Sequence, residues 1–174
     1  MQATDEASYK DFVTARRRAL LRTAFLMTGD WYAAEDLVQE ALTKLYVSWR
    51  RVHRDDDMMA YARRVLVNAH IDGTRRPWRR EHVVDAVPEL PGPGDPAESG
   101  DLYTRERLLA ALAAVPPRQR ATLVLRFWED LAVEQVADLM NCSSGNVKSQ
   151  TARGLDRLRA VLGSEAFVET KEAL

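Results

Sequence analysis

The chain has 174 residues, 46% of them hydrophobic and 29% charged, with a formal net charge of −1 and a single cysteine. That length allows one domain or two small ones, and one cysteine excludes an internal disulfide framework and fits a reducing compartment. No apolar run approaches the roughly 20 residues of a membrane span, and the N-terminal MQATDEASYKDF lacks the basic-then-apolar design of a secretory signal, so a cytoplasmic protein without membrane insertion is expected.

The pattern predicts a first helix over about Glu6 to Met27, a break at Thr28-Gly29-Asp30, and Asp30 as the cap of the next helix. The second helix has the strongest period in the chain. Ala34, Leu37, Val38, Ala41, Leu42, Leu45, Tyr46 and Trp49 form one apolar stripe, with Asp36, Gln39, Glu40 and Lys44 opposite. A loop from Arg50 to Asp57 comes next, whose Asp55-Asp56-Asp57 run suits the start of a third helix over about Met58 to Arg75.

That third helix buries Met58, Ala62, Val65, Leu66 and Ala69. Arg64, Asn68, Ile71 and Arg75 recur on another face, with Asp72 alongside. Residues 61–80 hold six arginines against one aspartate, a local +5. Arg75-Arg76, Trp78 and Arg79-Arg80 mix cations with a ring, a combination that suits an unstacked strand because arginine takes phosphate and rings take base faces. A solvated helix end favoured by its own dipole is the plainer account of the same residues.

From Glu81 to Thr104 the composition changes. This stretch holds four prolines, three glycines and six acids without a lysine or arginine, a local −6. Proline removes backbone donors and restricts its predecessor, so no helix continues through Pro88, Pro91, Pro93 and Pro96. An acidic tether is expected over 81–104, dividing a domain over 1–80 from a second over 105–163 and a tail over 164–174.

In the second domain Leu108, Leu109, Leu112 and Val115 predict a short helix stopped by Pro116-Pro117. The next helix tolerates Pro117 in its first turn and carries Ala121, Leu123, Val124, Leu125 and Phe127. The stretch from Val133 to Arg159 reads as a helix-turn-helix. Val136, Ala137 and Met140 face inward, Asn141-Cys142-Ser143 makes the turn with Asn141 suited to positive φ, and Ser143 or Ser144 caps a helix through Val147, Leu155 and Leu158. Cys142 reads as a half-buried filler of that turn. Ser144, Asn146, Lys148, Ser149, Gln150 and Arg153 then suit base edges and phosphates in a major groove. An ordinary helical hairpin with a polar face is the alternative.

In this order the residues resemble a family. AEDLVQEALTKLYVSW is similar to the polymerase-docking helix, and AYARRVLVNAHIDGTRR to the promoter-melting helix, of the extracytoplasmic-function (group IV) sigma factors of the sigma-70 family. The run from Val115 to Arg159 resembles their upstream-promoter reader. The resemblance implies an all-α chain of two small helical domains, region 2-like and region 4-like, joined by the acidic Pro/Gly-rich linker. It implies that Asp36, Leu37, Gln39 and Glu40 meet core RNA polymerase. It implies that Asn68 and Asp72, with Arg63, Arg64, Arg75 and Arg76, hold the −10 element of promoter DNA. Ser144, Asn146, Lys148, Ser149, Gln150 and Arg153 would approach the −35 element. It also admits a cognate anti-sigma factor as a partner, with control by transcription alone equally compatible.

Gln150-Thr151, His70 and Asp72 depart from common family choices, so base preference does not carry over. No cofactor is implied. His53, His70 and His82 form no metal-ligand spacing, no glycine-rich phosphate loop is present, and no catalytic residue is assigned. An autonomous helix-turn-helix regulator is the competing reading, although such proteins usually dimerise and no dimerisation element is evident.

Overall fold

The computed structural model describes residues 3–52, 58–73 and 102–163. Every regular element among them is helical. The first half is a bundle of α1 (Ala3–Thr28), α2 (Trp31–Val52) and α3 (Met58–Gly73). The Asp30 carboxylate accepts from the Ala33 N–H at 2.8 Å, as an N-cap does. The apolar stripe of α2 lies in the core at every predicted position except Tyr46, which is exposed. Tyr46 instead meets the edge of Tyr9, at 5.0 Å between ring centroids. Tyr9 also packs edge-on against the buried Trp49 at 5.2 Å, and its hydroxyl donates to the Leu42 carbonyl at 3.0 Å. On α3, Ala62, Leu66 and Ala69 are buried, while Met58 and Val65 are only partly so.

The second half comprises α4 (Leu102–Ala114), α5 (Pro117–Leu123), α6 (Val133–Met140) and α7 (Ser144–Leu162). Between α5 and α6 the chain widens into a π-turn over Val124–Trp128. This corrects the sequence expectation for Phe127. One extra residue in the turn rotates the residues after it by a large fraction of a helical step. Phe127 and Trp128 therefore face solvent, each 54% exposed, instead of joining the core. Leu108 is also exposed. The chain leaves the π-turn through Asp130 at φ 51° and enters α6, where Gln135 accepts from the Ala132 N–H at 2.8 Å.

The turn between α6 and α7 matches the sequence expectation closely. Asn141 adopts φ 48° and ψ 57°, ending α6 in the left-handed region. Ser143 is the cap of α7, its hydroxyl accepting from the Asn146 N–H at 3.1 Å. Val147 is fully buried, and Cys142 is half-buried. Gly154 brings α7 against α5. A Cβ at that position would lie 2.9 Å from a Leu123 methyl and 3.0 Å from its Cγ.

The two halves are not held apart. One continuous apolar core includes Leu20, Ala24 and Met27 of α1, Leu66 and Val67 of α3, and Val124, Leu125, Val136 and Leu139 of the second half. α3 packs on α5 and α6, and α1 packs on α4, α5 and the π-turn. A second cluster of Ala111, Leu112, Val115, Leu123 and Leu158 receives Leu26 from α1.

Polar groups complete the seam. The buried Arg120 donates to the carbonyls of Ala113 at 2.8 Å, Val115 at 3.1 Å and, across the seam, Met27 at 3.0 Å. It thereby satisfies chain-end carbonyls of α1 and α4 that lack helical partners. The residue is charged in a dry place, and burial lowers its pKa from the ordinary value.

Candidate nucleic-acid and partner interfaces

Three surfaces carry the residues singled out in the sequence. On α2, Asp36 and Gln39 are exposed and Glu40 partly so. Glu40 accepts an ion pair from Lys44, one turn on, at 2.7 Å, and Asp36 makes no ion pair among the described residues. Leu37 does not share this face. It is 2% exposed and points into the core between α1 and α3, so it shapes the helix position and is out of reach of a partner. At about 100° per residue, Tyr32, Asp36, Gln39, Thr43 and Val47 form one exposed row.

On α3, Arg64, Asn68 and Asp72 are exposed at steps of four, in one row along the helix. Arg63 lies one step round and has a different environment. Its guanidinium is paired with the Glu129 carboxylate of the second half, and the Thr23 hydroxyl of α1 donates to the same carboxylate. His70 is buried, and its Nε2 has no partner among the described residues. Burial lowers its pKa to about 4, aided by the nearby Arg120 charge and opposed by a hydrogen bond with the Pro117 backbone. Arg75 and Arg76 lie outside the described residues.

On α7, Asn146, Ser149, Gln150 and Arg153 come together on one side. Arg157, which sequence reasoning passed over, extends the row one turn beyond Arg153. The i, i+4 step from Arg153 was the available signal. Lys148 stands on the other flank, about 160° round the helix from Asn146, and Ser144 sits half-buried in the first turn. Glu129, Thr23 and Arg120 were also missed: Glu129 and Thr23 have partners 66 or more residues away in sequence, and Arg120 bonds to backbone carbonyls, which sequence does not display.

A helix-turn-helix with a basic outer face, packed on a bundle that exposes Asp36 and Gln39 on one helix and an Arg/Asn row on another, defines a DNA-reading protein of the transcription machinery. The chain matches the family model described as Sigma-70 region 2 over residues 12–80 and that described as Sigma-70 region 4 over residues 105–158. It is 35% identical over 156 residues to the RNA polymerase sigma-E factor of Streptomyces coelicolor, covering 88% of this chain and 85% of the relative. It is 27% identical to the sigma factor SigV of Bacillus subtilis, over 93% and 95% of the two chains. In fold it resembles the sigma factor RpoE of Bartonella quintana, solved in complex with the anti-sigma factor NepR. That likeness has a TM-score of 0.71 and 23% identity over 90% of this chain and 98% of the other. The chain belongs to the extracytoplasmic-function sigma factors of the sigma-70 family, the promoter-selecting subunits of RNA polymerase. Among the described residues, no helix is long and apolar enough to cross a membrane.

Proposed function

We propose a division of labour for initiation among three helices. The exposed acids and amide of α2, Asp36, Gln39 and Glu40, dock on a basic helical surface of core polymerase, with Leu37 fixing that face from beneath. Arg64, Asn68 and Asp72 of α3 hold an unstacked base and its backbone at the −10 element, with Arg63, Arg75 and Arg76 on adjoining phosphates. Asn146, Ser149, Gln150 and Arg153 of α7 read the −35 element. Lys148 on the other flank and Arg157 at the far end of the row make phosphate contacts, and Ser144 turns its helix end toward the backbone. Capture of a flipped base offsets an unpairing cost of a few kcal/mol, so melting needs no chemical step and no catalytic residue. The protein works in the cytoplasm, and a cognate anti-sigma factor is a fitting further partner.

The observation that carries this reading is the pairing of two exposed rows, on α3 and α7, in separate halves of one chain. The 28 residues between Gly73 and Leu102 have a maximum reach of about 90 Å. The −35 and −10 elements are separated by roughly 25 base pairs, or about 85 Å. An autonomous regulator needs no such reach.

The test is retention of the chain on immobilised core polymerase. Asp36→Lys/Glu40→Lys should release it, while Lys148→Ala/Arg153→Ala should stay bound and lose only promoter selection. Equal retention of the α2 charge reversal would contradict the docking assignment.

A further inference from the structure

α3 and α7 both pack on α6. At interaxial spacings of about 8–10 Å their axes lie within about 20 Å of each other. The promoter elements assigned to them are about 85 Å apart. The closed arrangement and the promoter-bound arrangement are therefore different states, and something in this chain sets the balance between them.

The polar centre of the seam is a single carboxylate. Glu129 leaves the π-turn just before Asp130, whose positive φ turns the chain at that point. Its two oxygens are taken by different elements of the first half: Thr23 of α1 donates to Oε1, and Arg63 of α3 to Oε2. The pair is largely removed from water, with side chains 21% and 9% exposed for Arg63 and Glu129. A hydroxyl and a guanidinium converging on one anion is also how proteins hold a DNA phosphate.

We propose that Glu129 is an internal stand-in for a promoter phosphate. Its carboxylate latches the two halves together through Thr23 and Arg63, and it keeps Arg63 from DNA until polymerase docking separates them. The proposal rests on the reading of Arg63 as a −10 contact. The same guanidinium cannot serve both anions, so the latch and promoter grip are mutually exclusive. Thr23, buried in the closed state, becomes available beside Arg63 when the seam opens.

The test uses the full chain with Cys142→Ser and spin labels at Ala15→Cys on α1 and Ala160→Cys on α7, both exposed positions. Distances are read by pulsed EPR, and affinity for a single-stranded −10 oligonucleotide is measured without polymerase. Glu129→Gln should convert a single short distance into a broad, longer population and raise oligonucleotide affinity about tenfold, the scale of losing a largely desolvated ion pair. Thr23→Val, which removes one of the two latch contacts and no charge, should lengthen the distance in the same direction by a smaller amount. Arg63→Glu/Glu129→Arg should restore the short distance, and this rescue separates a lost latch from a lost fold.

Glu129→Gln with unchanged distances overturns the proposal, as does opening without any Arg63-dependent gain in affinity. Polymerase-dependent initiation by Arg63→Ala reads the separate assignment of Arg63, because the seam is already open in that complex. Normal initiation there would mean that the DNA role of Arg63 had failed, whatever the EPR distances showed.

Discussion

His70 makes the closed state dependent on pH in a direction the structure fixes. The ring sits at the seam with Arg120 beside it and the Pro117 backbone as its hydrogen-bond partner, and burial lowers its pKa from 6.5 to about 4. Above pH 6.5 the ring is neutral whether the seam is closed or open, so its contribution is fully present. Below 6.5 the exposed form takes up a proton that the closed form refuses, and stability falls until the pH nears 4. The distance from 6.5 to about 4 corresponds to about 3 kcal/mol in total. Between pH 7.5 and 5.5 the loss is about 1.3 kcal/mol, before most carboxylates begin to titrate.

Urea unfolding of the wild type and His70→Leu across that window isolates the effect, since every other titrating group is common to both. The wild type should lose about 1.3 kcal/mol more than the variant. Parallel curves would refute the claim that the ring stays neutral in the closed state.

Three further substitutions have signs that the geometry decides. Gly154→Ala gains up to about 1 kcal/mol of helix propensity. It also drives a methyl into the buried Leu123 Cγ, an overpacking cost of about 1–3 kcal/mol, so thermal unfolding should show net destabilisation. Asn141→Ala should cost about 1–2 kcal/mol because its φ of 48° suits no Cβ-bearing apolar residue, whereas Asn141→Gly should be tolerated; chemical denaturation of both variants checks the pair. Arg120→Met removes the donor to the Ala113, Val115 and Met27 carbonyls, and at about 1–3 kcal/mol for each buried group left unsatisfied it should lower the unfolding midpoint more than any other change here.

Much of this architecture is legible in the chain because the strongest signals are local. The α2 stripe repeats at the helical period, Pro116-Pro117 punctuates α4 from α5, and Asn141 and Ser143 have the chemistry that a left-handed turn and an N-cap require. The exposed rows on α3 and α7 arise from the same periodicity. Local pattern does not encode the rotation added by the π-turn, which carries Phe127 out of the core. Nor does it encode pairing over long separations. Arg63 reads as one more cation of a basic helix until Glu129, 66 residues on, is seen to hold it. Leu37 belongs to both a docking segment and an apolar stripe, and the packing of α2 against its neighbours decides for the stripe. Arg120 carries no sequence signal of its burial, because its three acceptors are backbone carbonyls, which sequence does not display.

The most direct test of the central claim is abortive initiation from a pool of promoters by core polymerase, with and without this protein. The account predicts protein-dependent transcripts from a subset of promoters, lost with Asn68→Ala and with Lys148→Ala/Arg153→Ala while polymerase retention persists. Specific binding to duplex DNA with neither retention on core polymerase nor any dependent transcript would contradict it and leave an autonomous helix-turn-helix regulator in its place.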